Sequence, residues 1–361
     1  MPNFSSRLIS WYLQNGRSLP WRETTDPYKI LLSEIILQQT QVCQGLAYYE
    51  RFLKKYPTIN DLAAASQDEV MQIWQGLGYY SRARNLHAAS KQVVELGHFP
   101  TTHAEILKLK GVGSYTAAAI ASFAYNLPHA AIDGNAYRVL SRYFAIDTPI
   151  DTNCGKKQFE TLAHEVLDTH RPALFNQAMM DLGATCCTPK SPQCHRCPLS
   201  DACLAHANNS ASCYPVKQNK IKLQTRRLIF VAIHTNTHLL LQRRDTGDIW
   251  QGLYQPTLIE LPQNETDFTI SNITDHQDIK SYFTLSSNDA APPTLRMLFS
   301  NYKHRLTHRL LLTDAYALKV TNLHPLPPGY IEVPLNDLHQ YGVPKIVQLI
   351  FNEIQQRNQE S

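Results

Sequence analysis

Four cysteines in one short run constrain the fold of this chain more strongly than any other feature of its sequence. Residues 187–203 read CTPKSPQCHRCPLSDAC, and Cys187, Cys194, Cys197 and Cys203 are spaced as C-x6-C-x2-C-x5-C. Four thiolates inside one tight loop repel one another unless a soft metal centre offsets their charge. Zinc and an iron–sulfur cluster both accept this ligand set, and zinc is the commoner metal in all-cysteine sites. Neither leaves a coordination position open for a substrate, so we expect a structural centre.

Four further cysteines lie outside this set. Cys186 directly precedes the first predicted ligand, whereas Cys43, Cys154 and Cys213 are scattered along the chain. The sequence assigns no role to any of them.

Length, charge and hydropathy limit the class of protein. The 361 residues predict two domains, and the 43% of hydrophobic residues suffices to bury their cores. The net charge of +4 is small, so any affinity for nucleic acid must come from local basic patches. No apolar run approaches the roughly 20 residues of a membrane helix, and the N-terminal residues lack a signal-peptide core. We therefore expect a cytoplasmic protein, in which clustered cysteines are more often metal ligands than disulfides.

The periodicity of apolar residues changes once along the chain. Residues 1–207 carry helical spacing in successive stretches that glycine and proline separate. Residues 208–225 are polar and basic and are predicted to form a linker. Residues 226–361 begin with RRLIFVAIHTNTHLLLQRR, which predicts two strands around a polar turn, and close with the helical pattern GVPKIVQLIFNEIQQ. We therefore predict a helical domain joined to a smaller α+β domain.

One carboxylate stands in an otherwise apolar predicted helix. In PYKILLSEIILQQTQV, residues 27–42, Asp26 and Pro27 have the residue types of an N-cap and a first helical position. Glu34 shares a helix face with apolar residues and with Gln38. Burial among apolar side chains raises the pKa of a carboxyl group, which suits a general acid. A buried glutamate that pairs with a distant arginine fits the same residues, and the helix alone does not decide between them.

A glycine-rich joint separates two predicted helices at LKLKGVGSYTA. Gly111 and Gly113 let the backbone approach a ligand closely, and the amides at the next helix start form a ready phosphate site. Lys108 and Lys110 lie alongside. Two glycines alone also fit an ordinary joint between helices, but the flanking lysines and the elements that follow favour a hairpin that holds a phosphate.

A second carboxylate follows in AAIDGNAYRVLSR. Asp133 is predicted to lie at the entry of the helix that carries Tyr137 and Arg138, where an ordinary N-cap role is equally consistent. Since a helix N-terminus stabilises an anion, we expect the pKa of Asp133 to fall while that of Glu34 rises. Such divergence is typical of the acid and the anion in glycosidic-bond cleavage.

These segments, in this order along the chain, resemble the adenine DNA glycosylases, which are helix-hairpin-helix enzymes with a [4Fe-4S] cluster. The resemblance covers most of residues 7–204 and rests on LPWR, SEIILQQTQV, GLGYYSRARNLH, LKGVGSYTA, IDGN, FNQAMMDLGA and the cysteine spacing. It implies a mainly α helix-hairpin-helix glycosylase fold with a cluster loop, followed by a C-terminal α+β Nudix-like domain. It also implies a [4Fe-4S] cluster instead of zinc on the four cysteines.

The resemblance implies catalytic roles at four positions. Glu34 is the expected general acid that protonates adenine at N7, and Asp133 the expected partner of the cationic sugar. Tyr115 and Asn135 match residues that flank that sugar. The similar endonuclease III has a lysine where this chain has Tyr115, so no amine is available for a Schiff base and a monofunctional enzyme is expected.

The same resemblance implies contacts with DNA. Trp21 and Arg22 match positions that line the adenine pocket, as does Gln177, which departs from the acidic residue of some members. The expected substrate and DNA contacts also include Gln38, Gln39, Thr40, Leu77, Tyr79, Gly111 and Gly113. Of these, Gln39 and Tyr79 match residues that insert into the base stack, and Thr40 and Leu77 match contacts to the opposite base. Tyr79 taken alone also fits a core aromatic.

In the second domain, YKHRLTHRLLL resembles the Phe-x-His-x-Phe-Ser-His segment that reads 8-oxoguanine. Thr307 keeps the hydroxyl group and His308 is retained, although histidines here also fit an ordinary surface. No Nudix box follows Pro256. The domain is therefore expected to recognise the lesion and not to hydrolyse nucleotides.

Together these features predict a monofunctional glycosylase that flips adenine out of duplex DNA opposite 8-oxoguanine or guanine and excises it in base-excision repair. We expect a monomer that acts at the bacterial nucleoid. Three rivals are a bifunctional lyase, a non-catalytic DNA-binding protein with a structural metal, and a hydrolase of free oxidised nucleotides. Tyr115 speaks against the lyase, because it offers no amine. The carboxylates Glu34 and Asp133 speak against a protein that only binds DNA, and the missing Nudix box speaks against the nucleotide hydrolase.

Overall fold

The structure is a computed structural model that describes the following parts of the chain: residues 2–219, 223–245, 247–262, 269–285 and 292–359. Within the described residues, no helix is both long and apolar enough to cross a membrane.

Contacts between residues divide the chain into two units. The first comprises Met1–Ala65 and Arg84–Lys220, and the second comprises Ser66–Ala83 and Ile221–Ser361. The predicted domains differ from these units in two places, because most of the predicted linker joins the first unit and an early segment joins the second.

The predicted linker joins the first unit through backbone hydrogen bonds. Ile150 N donates to Val216 O at 3.1 Å. The Asp151 carboxylate accepts from the backbone N–H groups of Gln218 at 2.9 Å and Asn219 at 2.8 Å. These hydrogen bonds satisfy backbone polar groups within residues 216–219 and attach the segment to the first unit, although its polar composition predicts a linker.

Segment Ser66–Ala83 joins the second unit through contacts with residues far along the chain. Arg243 donates to the Asp68 carboxylate at 2.9 Å, across 175 sequence positions. Gln72 Nε2 donates to His339 O at 3.1 Å. Local periodicity does not report such distant partners, which is why the sequence grouped this segment with its neighbours.

Helices dominate the chain up to residue 207, as predicted. In chain order they are α1 (Pro2–Asn15), α2 (Pro27–Leu37), α3 (Val42–Lys55), α4 (Ile59–Ala64), α5 (Gln67–Ile73), α6 (Ser81–Leu96), α7 (His103–Ile106), α8 (Ser114–Tyr125), α9 (Gly134–Tyr143), α10 (Asn153–Val166), α11 (Pro172–Asp181) and α12 (Leu204–Ala207). Capping boxes at Thr58, Ser66 and Thr102 start three of them, because each cap hydroxyl and the acidic side chain three residues later satisfy two exposed N–H groups.

Helix α2 begins as the sequence predicts. Pro27 occupies its first position, and the Asp26 carboxylate accepts from Tyr28 N at 2.9 Å. The helix is buried on nearly all sides, which accounts for its apolar composition. Its buried residues include Glu34, so the carboxyl group of interest is carried by a rigid element of the core.

Helices α1, α9, α10 and α11 share one hydrophobic core. Its buried members include Phe4, Leu8, Val139, Leu140, Phe159, Ala163, Phe175, Met179 and Leu182. Full burial of such side chains contributes about 1.5–3 kcal/mol each. This core fixes the start of α9, where Asp133 lies, and the end of α11, from which the cysteine loop departs.

The second unit contains one mixed sheet. Its described strands are β1 (Gln224–His234), β2 (His238–Arg243), β3 (Tyr254–Gln255), β4 (Thr257–Leu261), β5 (Thr294–Arg305), β6 (Arg309–Lys319) and β7 (Tyr330–Pro334). Their order is β3-β2-β1-β6-β5, with β4 also pairing with β1 and β7 with β2. The β1–β6 pair is parallel and the other described pairs are antiparallel.

Alternation along β1 builds a core on each face of this sheet. Helices α13 (Ser271–Thr274), α14 (Lys280–Leu285) and α15 (Lys345–Gln359) accompany the sheet. Phe230 faces α15, where it joins Ile346 and Ile350. The alternate residues point to the other face, where Val231 belongs to a separate core with Ile273 and Tyr282 among its members. Both faces are therefore covered, and the predicted α+β class is confirmed.

Strands β5 and β6 form the hairpin whose tip carries Thr307 and His308. Arg305 pairs with Leu310, and Leu306 N donates to Arg309 O at 2.8 Å. Gln224 N also donates to His308 O at 3.0 Å. These bonds hold the backbone of the tip on both sides.

Candidate active site

Glu34 is buried in a polar corner of the helical unit. Only 6% of the residue is exposed, and the Tyr115 hydroxyl donates to Glu34 Oε2 at 2.7 Å. Burial raises the pKa of Glu34 to about 7; the hydrogen bond from Tyr115 opposes this rise, and the charge of Asp133 adds to it. The sequence-based prediction of a raised pKa is confirmed, and the group is half protonated near neutral pH.

Asp133 is the N-cap of α9, as predicted, yet its pKa moves in the opposite direction from the one expected. Its carboxylate accepts from Ala136 N at 2.8 Å and from Asn135 Nδ2 at 2.6 Å. Burial raises the pKa of Asp133 above its ordinary value, although both of these hydrogen bonds lower it. The predicted fall is therefore wrong, because desolvation outweighs the helix N-terminus.

The two carboxyl groups consequently differ in their hydrogen-bond partners and not in the direction of their pKa shifts. Asp133 accepts from a backbone N–H group and an amide, which are fixed donors that favour its anion. Glu34 accepts a hydrogen bond from the Tyr115 hydroxyl. A tyrosine hydroxyl can also accept a hydrogen bond, so the same contact persists when Glu34 carries a proton. Since two like charges in one buried site oppose each other, this arrangement favours one protonated and one ionised group.

Glu34, Tyr115 and Asp133 line two adjoining cavities of the helical unit. The first is lined by Arg17, Leu19, Trp21, Arg22, Glu34, Leu37, Thr40, Val42, Tyr115, Phe123, Asp133, Asn135, Met180 and Ala184. The second is lined by Glu34, Leu37, Gln38, Gln39, Gly111, Gly113, Ser114, Tyr115, Thr116, Ile132, Asp133, Gly134 and Tyr137. Most of the predicted site residues of this unit therefore converge. Gln177 instead accepts a hydrogen bond from the Tyr12 hydroxyl at 2.9 Å.

Asp181, a residue not predicted to belong to the site, holds Arg22 at the wall of the first cavity. The Asp181 side chain is fully buried and receives both Nη groups of Arg22 at 2.7 Å. Arg17 also donates to it, from Nε at 2.9 Å and from its backbone N at 2.8 Å. Burial opposes ionisation, but the two arginines outweigh it and lower the pKa of Asp181. The sequence signal that could have identified Asp181 is that it is the only charged residue in the apolar segment FNQAMMDLGA.

We expect Asp181→Asn to lower the free energy of unfolding by about 3–5 kcal/mol, because it leaves two arginines without their buried counter-charge. Urea denaturation at neutral pH measures this loss. Because the folded pKa is lowered, the stabilisation is present above the ordinary aspartate pKa of about 4 and is lost as the pH falls below it. In contrast, Asp68→Asn removes the exposed pair with Arg243 and should cost only about 0.2–1 kcal/mol. Equal losses in the two variants would contradict the assignment.

Asn135 is locked between Arg138 and the turn after α11. Arg138 Nη2 donates to Asn135 Oδ1 at 2.7 Å and to Gly183 O at 2.7 Å. A Cβ atom at Gly183 would come within 2.4 Å of the Asn135 Cβ, so only glycine permits this approach. The amide that donates to Asp133 is thus oriented by its own surroundings.

The predicted phosphate hairpin has the local geometry of an anion site. Gly111 has φ +77°, and a Cβ there would meet the Asn85 Cβ at 2.4 Å, so both its conformation and its packing require glycine. Gly113 precedes α8, and a Cβ there would meet no atom within 4 Å. The N-terminus of α8 has no side-chain cap, so its first N–H groups suit a phosphate oxygen.

In the second unit, the hydroxyl of Tyr79 hydrogen-bonds to the hydroxyl of Thr307. Tyr79 is 46% exposed, so it is not a core aromatic, whereas its neighbour Tyr80 is buried. Leu77 is also buried. Two predicted DNA contacts, one from each half of the sequence, therefore lie together in this unit.

Arg82 supports the loop that presents Tyr79. Only 6% of Arg82 is exposed. Its Nη2 donates to the carbonyl oxygens of Leu77 at 3.3 Å and Gly78 at 3.2 Å. Burial lowers the pKa of Arg82 to about 10. The guanidinium is therefore used inside the fold, where it holds the backbone of this loop.

The predicted cluster ligands converge on one cavity of the helical unit. Its lining includes Cys187, Cys194, Cys197 and Cys203, together with Cys186, Arg142, Pro192, Gln193, Ser200, His206 and Ala211. None of these five cysteines is paired in a disulfide. Arg142 Nη1 donates to Cys187 Sγ at 3.3 Å, which places a positive charge beside the thiols. Four soft sulfur donors with a neighbouring cation fit a [4Fe-4S] cluster, whose thiolates carry net negative charge.

We expect purified protein to be yellow-brown, with broad visible absorption and about four iron atoms per chain. Metal analysis and an absorption spectrum of protein purified without oxygen provide the measurement. A colourless protein that contains stoichiometric zinc would contradict this expectation.

Two family models match the helical part of the chain. Residues 32–167 match the HhH-GPD superfamily of base excision DNA repair proteins. Residues 187–203 match the iron-sulfur binding domain of endonuclease III. The second match begins and ends at predicted ligands, and it confirms the expected iron–sulfur cluster over zinc.

Known proteins resemble this chain over different lengths. The adenine DNA glycosylase of Rattus norvegicus is 46% identical over 215 residues, which cover 56% of this chain and 42% of that protein. The solved structure of a thermostable thymine-DNA glycosylase superposes with a TM-score of 0.53 at 31% identity, covering 57% of this chain and 95% of its own. The adenine DNA glycosylase of Buchnera aphidicola subsp. Baizongia pistaciae is 32% identical over 365 residues, 98% of this chain and 97% of that protein. Since that similarity extends over nearly the whole of both proteins, the chain belongs to the adenine DNA glycosylase family.

Proposed function

We propose that this chain is a monofunctional glycosylase that removes adenine mispaired with 8-oxoguanine or guanine in duplex DNA. The observation that carries this proposal is the pair Glu34 and Asp133, which line the same cavities, with Tyr115 donating to Glu34 and Asn135 donating to Asp133. A protein that only binds DNA has no need of two buried carboxyl groups at the same cavity. We also propose that it acts as a monomer at the nucleoid, where its duplex substrate lies.

Glu34 supplies the proton for the leaving base. With a pKa of about 7, the group is protonated in about half of the molecules at neutral pH, which is the balance between holding and releasing a proton that suits a general acid. It transfers its proton to N7 of the everted adenine. The bond between C1′ and N9 then breaks with its electron pair moving to the base, and adenine leaves as a neutral molecule.

Asp133 stabilises the positive charge that develops on the sugar. The carboxylate is held by Ala136 N and Asn135 Nδ2, so it needs no reorganisation when the charge appears. Water completes the reaction by adding to C1′, and a proton passes to a carboxylate or to solvent. Glu34 and Asp133 thus divide the tasks of proton donor and anion.

The wall of the first cavity orients the base. Arg22 is fixed by Asp181, and Trp21 packs edge-on against Tyr49 with ring centroids 5.2 Å apart. These contacts leave few alternative rotamers for either side chain. Side chains that are already ordered before binding reduce the entropy cost of placing adenine against Glu34.

A lyase reaction finds no support in these cavities. Among the described residues, no lysine lines either cavity, and Tyr115, which lines both, stands where the similar endonuclease III has a lysine. A Schiff base with the sugar requires such an amine. The geometry therefore favours hydrolysis of the glycosidic bond without strand cleavage.

Recognition of the opposite strand is proposed for residues of both units. Gln39 and Tyr79 have positive φ angles of 56° and 47°, which is a strained conformation for non-glycine residues and recurs at functional sites. We assign them to insertion into the base stack, and Thr40 and Leu77 to contacts with the opposite base. In the second unit, Thr307 is assigned to 8-oxoguanine. His308 is the adjacent candidate.

Single-turnover cleavage tests the proposal directly. The substrates are matched duplexes that differ only in the base opposite adenine, which is 8-oxoguanine, guanine, cytosine or thymine. We expect release of adenine opposite 8-oxoguanine and guanine and little release from the other two. Equal rates on all four duplexes would overturn the mismatch specificity, and no release from any duplex would overturn the activity itself.

A further inference from the structure

The cavity of the iron–sulfur cluster is lined by a fifth cysteine. Cys186 lies in the same lining as the four predicted ligands. The matched iron-sulfur domain begins one residue later, at position 187, so that match gives Cys186 no role. Its thiol is nevertheless buried, with 4% of the residue exposed.

The backbone around Cys186 directs this residue toward the cluster loop. Helix α11 continues into a π-helical turn, Leu182–Cys186, which closes with a 2.7 Å bond from Cys187 N to Leu182 O. Gln193 N donates to Cys186 O at 2.9 Å. The Cys186 thiol in turn donates to Gln193 O at 3.4 Å. Both the backbone and the sulfur of Cys186 are thus tied to the residue that precedes Cys194.

The side chain of Cys186 also shares its surroundings with a predicted ligand. Cys197 packs against the same core to which Cys186 belongs, and both side chains line the same cavity. The structure therefore places a spare thiol at the cavity in which Cys197 would bind iron.

We propose that Cys186 is a reserve ligand of the [4Fe-4S] cluster that replaces Cys197 when the Cys197 thiolate is lost. The exchange breaks the bond between iron and the Cys197 sulfur and forms one between the same iron and the Cys186 sulfur. Cys186 gives up its thiol proton, and the displaced Cys197 thiolate takes up one, so the charge of the cluster and its oxidation state do not change. A peroxide that oxidises the displaced Cys197 thiolate to a sulfenic acid, with breakage of its O–O bond and release of water or an alcohol, removes the competing thiolate until the sulfenic acid is reduced again.

The experiment replaces the ligand by alanine, which cannot bind iron. The full chain is prepared without oxygen as Cys197→Ala, Cys186→Ala, the double variant, and Cys203→Ala. The last is the matched control, because the Cys203 thiol donates to the Arg142 carbonyl oxygen at 3.5 Å instead of to Cys186. Iron and sulfide content and visible absorption are measured, and circular dichroism reports the helical fold.

We expect Cys197→Ala to retain iron within about two-fold of the parent, and the double variant and Cys203→Ala to retain at least about ten-fold less. Cys186→Ala alone keeps the full cluster, which controls for the packing of that side chain. The proposal is overturned if Cys197→Ala is as empty as Cys203→Ala, or if the double variant retains iron as well as Cys197→Ala does. Loss of the cluster in Cys186→Ala alone would also overturn it, because Cys186 would then be a primary ligand. The single Cys197→Ala variant decides the proposal even where the double variant does not fold.

Discussion

Glu34→Gln is expected to bind a mismatched duplex with the affinity of the parent but to release adenine about 10²–10⁴-fold more slowly, because glutamine carries no transferable proton. Single-turnover kinetics and a binding titration on the same duplex separate the two effects. Glu50→Gln, which alters an exposed carboxylate on α3, is the matched control and should turn over at the parent rate. Turnover of Glu34→Gln at the parent rate would show that Glu34 is not the acid.

The pH dependence of excision follows from the same group. The acid must be protonated, so the rate is expected to decline as the pH rises above the Glu34 pKa of about 7. In Glu34→Gln this limb of the profile should disappear. A profile that keeps the same limb in the variant would assign it to another group.

The raised pKa of Glu34 also predicts an effect on stability. The folded state holds a proton on Glu34 up to about pH 7, whereas the unfolded chain releases it near pH 4.5, so the contribution of this group to stability falls as the pH rises between them. Glu34→Gln removes the cost of burying the charge. The variant is therefore expected to be more stable than the parent above pH 7, which is typical of residues that serve function at the expense of stability.

Asp133→Asn is expected to slow adenine release by at least about 10²–10³-fold, because the anion beside the developing sugar cation is removed. Asparagine caps a helix about as well as aspartate, so the start of α9 should persist and the free energy of unfolding should change by only a few tenths of a kcal/mol, roughly. Single-turnover kinetics together with urea denaturation therefore separate the charge of Asp133 from its role as an N-cap.

Asp26→Asn provides the comparison for Asp133→Asn. Asp26 caps α2 through Tyr28 N in the way that Asp133 caps α9, but it does not line the described cavities. The Asp26 variant should keep both the stability and the excision rate of the parent. If Asp133→Asn also kept the parent rate, its carboxylate would be a structural cap and the proposed stabilisation of the sugar would be wrong.

The sequence alone was sufficient where the physical cause lies within a few residues. The Asp26–Pro27 start of α2 depends on one side chain and the next backbone N–H groups. Strand β1 could be predicted from its run of apolar residues. Alternate side chains of a strand face opposite sides of the sheet, and here each side has its own core. The cysteine loop was visible because its four ligands fall within 17 residues, from 187 to 203.

Only the tertiary structure decided the features that depend on burial and on distant partners. The pKa of Asp133 rises because surrounding elements exclude water from a helix start that would otherwise favour the anion. Arg22 is fixed by Asp181, 159 positions later in the chain, and segment Ser66–Ala83 contacts residues of the second unit. Desolvation and long-range ion pairs depend on the whole arrangement of the chain, whereas periodicity and capping report only on neighbours.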